Sequence, residues 1–142
     1  MKSTDYIITS RSGKPLGVNG YRFGEYLGIH AEHRDDGTVI FWVIDHLPTG
    51  AKIAQCDYKT HAVACVKALA KLGDLWNFAT VQEGVDLAKC DPLANKLVLL
   101  TRHCNCHTSA ELRKRLKELT TQIVAPTSQK VARSSEQGKA NP

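Results

Sequence analysis

Between Arg22 and Cys56 apolar and polar residues alternate with a period of two, and turn chemistry cuts the alternation twice, at Asp35-Asp36-Gly37 and at Leu47-Pro48-Thr49-Gly50. That pattern marks antiparallel hairpins, because successive side chains of a strand point to opposite faces. A two-residue turn at Asp36-Gly37 places Ala31 opposite Trp42, Ile29 opposite Ile44 and Leu27 opposite His46. Leu27, Ile29, Ile40, Trp42 and Ile44 then share one face, the expected core face. The second turn brings Ile44 to Ile53, and Asp45 to Lys52 on the opposite face. Upstream, Asp5 to Ser10 reads as a short strand ended by the Gly/Pro cluster Arg11–Pro15, and Gly17 to Gly20 reads as loop.

Downstream of Cys56 the period changes to that of a helix. Thr60 is the expected N-cap of a helix ending at Leu72, before Gly73, with Ala62, Cys65, Val66, Leu69 and Leu72 as its apolar stripe and Lys67 and Lys71 outside. Thr80 and Glu83 form a capping box for a short helix from Val81 to Lys89. Asp91-Pro92 is an N-cap followed by proline at the first helical position, yet Leu97-Val98-Leu99-Leu100 would equally suit a buried strand, so periodicity leaves residues 92–103 open. Thr108 and Glu111 open a last helix to about Val124, with Leu112, Leu116, Leu119 and Ile123 inward. After Pro126 the composition is that of a disordered tail.

The expected fold is α+β: a three- or four-stranded antiparallel meander packed on a helix, followed by two or three further helices. One domain spans residues 1–124, with the meander at about 22–56, the helix at 60–72 and a helical part at 80–124; a basic tail occupies 125–142. In the order of its elements, Tyr26 to Leu72 resembles the last three strands and helix of a double-stranded-RNA-binding domain. No helix precedes the strands, and that family's lysine cluster is reduced to Lys59 followed by Thr60 and His61, so the likeness is one of architecture. The 142 residues suffice for one core without disulfides. No apolar run reaches the length of a membrane span and no secretory h-region is present, which points to a cytoplasmic protein. Five cysteines fit reduced thiols in that compartment.

The net charge of +5 is unevenly placed. Residues 1–75 carry nine Lys/Arg and eight Asp/Glu, residues 76–107 three of each, and residues 108–142 seven against three. The positive excess therefore sits in the last helix and tail, where an acidic partner, nucleic acid first, would meet it. Arg113, Lys114, Arg115 and Lys117 on the helix, with Lys130 and Arg133 in the tail, are the candidate phosphate contacts. Glu111 with Arg115 and Glu118 with Lys114 have the spacing for neutralising pairs on the helix surface.

The densest set of ligating side chains is His103-Cys104-Asn105-Cys106-His107. Zinc is the ion that such a set would take, although one residue between the cysteines is tighter than the usual knuckle. Cys106 also precedes a helix N-terminus, which lowers a thiol pKa. His30, His33, His46 and His61 read as surface or edge residues, with His30 and His33 on opposite faces of their strand. No phosphate-cradling glycine loop and no nucleophile elbow is present, which argues against an NTPase, a dinucleotide enzyme or a hydrolase of that type.

These observations lead to three expectations. The first is a non-catalytic binding protein, of the small accessory kind that bacterial, plasmid or phage genomes carry, contacting nucleic acid through the basic helix and tail. The second is a protein-binding inhibitor or adaptor that uses an exposed sheet face or edge with Tyr26, Phe41 and Val43 as anchors. The third is a small zinc-stabilised module centred on residues 103–107. No small-molecule substrate and no membrane partner is expected.

Overall fold

A computed structural model of the chain describes residues 2–123; Lys130, Arg133, Val124 and the tail lie outside the described residues. Five antiparallel strands form one sheet in sequence order: β1 (Thr4–Thr9), β2 (Pro15–Phe23), β3 (Leu27–His33), β4 (Val39–His46) and β5 (Lys52–Cys56). They are followed by α1 (Lys59–Ala70), a 3-10 turn (Gly73–Trp76), α2 (Val81–Cys90), α3 (Pro92–Arg102), a second 3-10 turn (Cys104–Cys106) and a last helix, α4, over residues 109–123.

The central hairpin has the expected register: Leu27 faces His46, Ile29 faces Ile44 and Ala31 faces Trp42. Its turn differs. Arg34 N–H donates to Thr38 O at 2.8 Å, so the loop has three residues, with Gly37 at φ +87 supplying the left-handed position. The ladder then skips Ile40, since His33 pairs with Val39 and Glu32 with Phe41. The longer loop and the bulge cancel, which restores the register but leaves Ile40 43% exposed instead of on the core face. A second bulge, at Ile53, pairs Ile44 with Ala54 and still leaves Asp45 opposite Lys52.

The segment Gly17–Gly20, expected as loop, runs through β2 and gives the sheet its fifth strand. Its glycines make room for a side chain. A Cβ on Gly20 would stand 3.0 Å from the Tyr6 ring, and one on Gly28 would stand 3.0 Å from it too. Tyr6, on β1, lies across both glycines and donates its hydroxyl to Asp45 Oδ2 on β4 at 2.8 Å. In a flat sheet β1 and β4 would be three strand spacings apart, about 14 Å. The sheet is therefore strongly curled. The same curl lets Thr9 N–H bond Gly50 O, in the β4–β5 turn, at 2.9 Å.

Curling buries the centre of the sheet face that the helices do not cover. Tyr6, Ile8, His30, Val43 and Asp45 are all withdrawn from solvent there. On the other face Leu27, Ile29, Ile44 and Cys56 meet Ala62, Cys65, Val66 and Leu69 of α1, Leu97 of α3, and Leu112 and Leu116 of α4. The α1 stripe is the expected one, but Thr60 is not its N-cap. Tyr58 is extended at φ −121, ψ 141 and its carbonyl accepts from Ala62 N–H, so Thr60 falls inside the first turn. The other caps are as expected: Thr80 and Thr108 accept from Glu83 N–H and Glu111 N–H, and Asp91 accepts from Ala94 N–H. Residues 92–102 are helix, not strand.

Three of the four histidines expected at the surface are buried, because distant segments supply partners for their nitrogens. His30 is held between Asp45, at 2.5 Å from Nδ1, and Glu32, at 2.9 Å from Nε2. Burial alone would lower its pKa, but the hydrogen bond and charge of Asp45, then of Glu32, outweigh it and hold it above the ordinary value. His46 stacks on Phe78 at 4.0 Å between centroids, donates Nε2–H to Trp76 O and receives the Thr49 hydroxyl at Nδ1. Burial lowers its pKa, against the pull of the Trp76 carbonyl.

His30 and His46 should therefore titrate on opposite sides of 6.5 in an NMR pH series, His30 above and His46 below. The stability from His30 is complete below 6.5 and lost as pH rises through its folded pKa; that from His46 is present above 6.5 and lost as pH falls through its folded pKa. His30→Ala, which leaves buried Asp45 with the Tyr6 hydroxyl alone, should cost about 3–5 kcal/mol in urea denaturation at neutral pH. A loss within about 0.5 kcal/mol, the range of an ordinary surface substitution, would mean that the network does not hold the sheet.

Candidate functional site

Helix α4 carries the four basic residues singled out from the sequence, and its position follows from its apolar stripe. Leu112, Leu116 and Ile123 are buried and Thr120 turns its hydroxyl back to Leu116 O at 2.9 Å. At about 100° per residue, Arg113, Lys117 and Lys114 occupy one continuous arc of the outer surface. Arg115 falls on the opposite flank with Glu111 and Glu118. All four cations are exposed. The expected pairs Glu111 with Arg115 and Glu118 with Lys114 are not formed: among the described residues no Lys or Arg nitrogen lies within 4.0 Å of a carboxylate oxygen.

The N-terminal end of α4 is anchored at a junction of four elements. Cys56 closes β5, His61 and Cys65 sit one turn apart on α1, and Cys104 opens the second 3-10 turn. The three sulfurs lie within 4.8 Å of one another, and Cys56 and Cys104 are 3.0 Å apart. All three cysteines are 0% exposed and His61 is 4% exposed. His61 Nε2 lies 3.1 Å from Ser109 Oγ, in the first turn of α4, and Tyr58 packs edge-on against the ring. Asn105 extends the junction: it accepts from Asp57 N–H at 2.8 Å and donates to Gln55 O.

Hydrogen bonding with the Cys56 and Cys65 thiols, against the cost of burial, shifts the Cys104 thiol below its ordinary range. The same bonds, with burial, push Cys56 and Cys65 up.

The expected zinc set is thus divided. Cys104 turns inward to Cys56 and Cys65, whereas His103 and Cys106 are exposed and His107 stands near Glu111, with Nδ1 3.7 Å from its carboxylate. Sequence reasoning missed Cys56, Cys65 and His61. The available signal was the four-residue spacing of His61 and Cys65 on a helix that begins just after a cysteine-ended strand.

The residues expected as protein-binding anchors are covered to differing extents. Val43 is 4% exposed and Phe41 and Tyr26 are half-buried, with the Tyr26 hydroxyl 3.4 Å from Asp74. Apolar surface lies elsewhere. An open cleft of about 350 Å³ runs between β5, α2 and α3, lined by Leu72, Trp76, Phe78, Val85 and Val98, with His46 among its wall residues. Helix α2 has no buried residue, and Val81, Val85 and Leu87 are more than a third exposed.

No protein-family model, no curated protein and no solved structure matches the chain. Among the described residues no helix is long and apolar enough to cross a membrane.

In reduced, native protein Cys90 and Cys106 should react quickly with a thiol reagent and Cys56, Cys65 and Cys104 only on unfolding, since accessibility limits thiolate attack. Mass spectrometry after a short labelling pulse should find two adducts. Rapid modification of Cys104 would contradict a closed, buried junction.

Proposed function

We propose that the protein is a non-catalytic nucleic-acid-binding protein whose phosphate-contacting surface is the outer face of α4. The observation that carries this reading is the arc of Arg113, Lys114 and Lys117, exposed and without carboxylate partners among the described residues. Exposed, unneutralised cations on a rigid helix gain by displacing the counterions condensed on a phosphate backbone. The sheet is buried at its centre, and its exposed apolar residues Ile7, Leu16, Val39 and Ile40 offer no charge to a phosphate backbone. Lys130 and Arg133 would add contacts from the tail. We place the protein in the cytoplasm, where thiols such as these stay reduced.

A protein-binding adaptor is the second reading. It draws on the apolar cleft and the exposed valines of α2, not on Phe41 and Val43. A Val85→Lys change would block that surface and leave oligonucleotide binding as it was.

Cutting the chain before α4 would remove Leu112 and Leu116 from the core, so substitutions are the cleaner test. In fluorescence-anisotropy titrations with short duplex and single-stranded oligonucleotides, binding should weaken steeply with salt. The triple variant Arg113→Ala/Lys114→Ala/Lys117→Ala should lower the slope of log K against log salt for duplex by about 2–3, at about 0.9 for each phosphate no longer neutralised. Arg115→Ala should have a smaller effect, and ending the chain after Ile123 should remove only the tail's share. Absence of binding at low salt would sink the proposal.

A further inference from the structure

The buried junction beneath α4 has the composition and closure of a structural metal site. We propose that Cys56, His61, Cys65 and Cys104 form a four-ligand zinc site that fastens α4 and the second 3-10 turn to β5 and α1. Thiolate and imidazole are the ligands zinc prefers, and three cysteines with one histidine is a recurrent closed set.

Three observations carry the assignment. First, the sulfurs lie within 4.8 Å of one another in an otherwise apolar interior. The edge of a tetrahedral zinc–sulfur site is about 3.8 Å, so the three sulfurs need to shift by no more than about 1 Å. The His61 ring, outside that 4.8 Å group, must move in to complete the set. Second, His61 Nδ1 is, among the described residues, the one buried side-chain nitrogen or oxygen with no hydrogen-bond partner. A buried, unsatisfied imidazole nitrogen costs free energy unless something accepts its lone pair or its proton, and a metal ion does the former. Third, the other ring nitrogen already has the partner that a ligating histidine needs. Nε2 lies 3.1 Å from Ser109 Oγ, so an Nε2–H donated there leaves Nδ1 unprotonated and free to coordinate.

On binding, the thiols that are protonated in the free protein give their protons to solvent, and the sulfurs become thiolate ligands with no change of oxidation state. The site also joins residues 48 apart in sequence, Cys56 with Cys104 and His61 with Ser109. An ion there would order the helix that carries the basic arc. Zinc binding at the junction does not depend on that arc meeting nucleic acid, and no oligonucleotide enters its test.

The test uses the full chain, purified with zinc and a thiol reductant throughout. Elemental analysis should find about one zinc per chain. Cobalt(II) added to chelator-stripped protein should give the thiolate-to-cobalt charge-transfer and d–d bands of a tetrahedral site, saturating at one equivalent. His61→Ala should weaken cobalt binding by about 100-fold or more, since even removing a residue that only hydrogen-bonds a ligand costs about 10–100-fold. A His103→Ala/Cys106→Ser/His107→Ala variant should bind as the parent does. Zinc far below one per chain with no saturable cobalt spectrum would overturn the proposal in the parent protein, whether or not the variants fold. Unchanged affinity in folded His61→Ala, or loss of the ion only in the triple variant, would overturn it as well.

Discussion

A carboxylate that is 1% exposed in the middle of a sheet sets the shape of this protein. A polar group buried there, here Asp45, needs hydrogen-bond partners, because an unsatisfied one costs about 1–3 kcal/mol. Its partners come from β3 and, around the curl of the sheet, from β1. Tyr6 reaches it only because Gly20 and Gly28 leave a path for the ring. The curl that makes this bond also folds β1 over the second sheet face, while the first is covered by α1, α3 and α4. The centre of the sheet is closed on both sides, and exposed apolar residues remain only toward its rim, at Ile7, Leu16, Val39 and Ile40.

Among the helical surfaces α4 is distinguished by how it is held. Its apolar stripe enters the core, and its first turn is tied through Ser109 to His61 and through the preceding 3-10 turn to Cys56 and Cys65. A contact surface on a fixed helix loses less conformational entropy on binding than one on a loop, which suits the proposed phosphate contacts. Helix α2 shows the contrary case. It buries no residue fully and stands beside an open cleft, so its hold on the core is the weakest of the four helices.

Much of this was legible in the sequence wherever one local rule governed one element. Period-two alternation put Leu27, Ile29 and Ile44 on the core face, although the register of Ala31 against Trp42 held only because a longer loop and a bulge cancel. Thr80, Asp91 and Thr108 marked helix starts through side-chain caps. The basic arc was visible too, because 3.6-residue spacing separates Leu112 and Leu116 from Arg113, Lys114 and Lys117. What was hidden depended on partners far along the chain. Gly17–Gly20 reads as loop until Tyr6 is seen lying across Gly20. His30, His46 and His61 read as surface residues until Asp45, the Trp76 carbonyl and Ser109 are placed beside them. Cys104 drew attention to Cys106, its neighbour in sequence, while its neighbours in space were Cys56 and Cys65.

If the outer face of α4 is where this protein meets its partner, a ¹H–¹⁵N chemical-shift map will show it residue by residue. The map is recorded while a short oligonucleotide is titrated into ¹⁵N-labelled full-length protein. Shifts should concentrate at residues 109–123, strongest around Arg113, Lys114 and Lys117, with the sheet and the α2–α3 cleft unmoved. Shifts confined to the cleft or the sheet, or none at all at low salt, would contradict a binding role for α4.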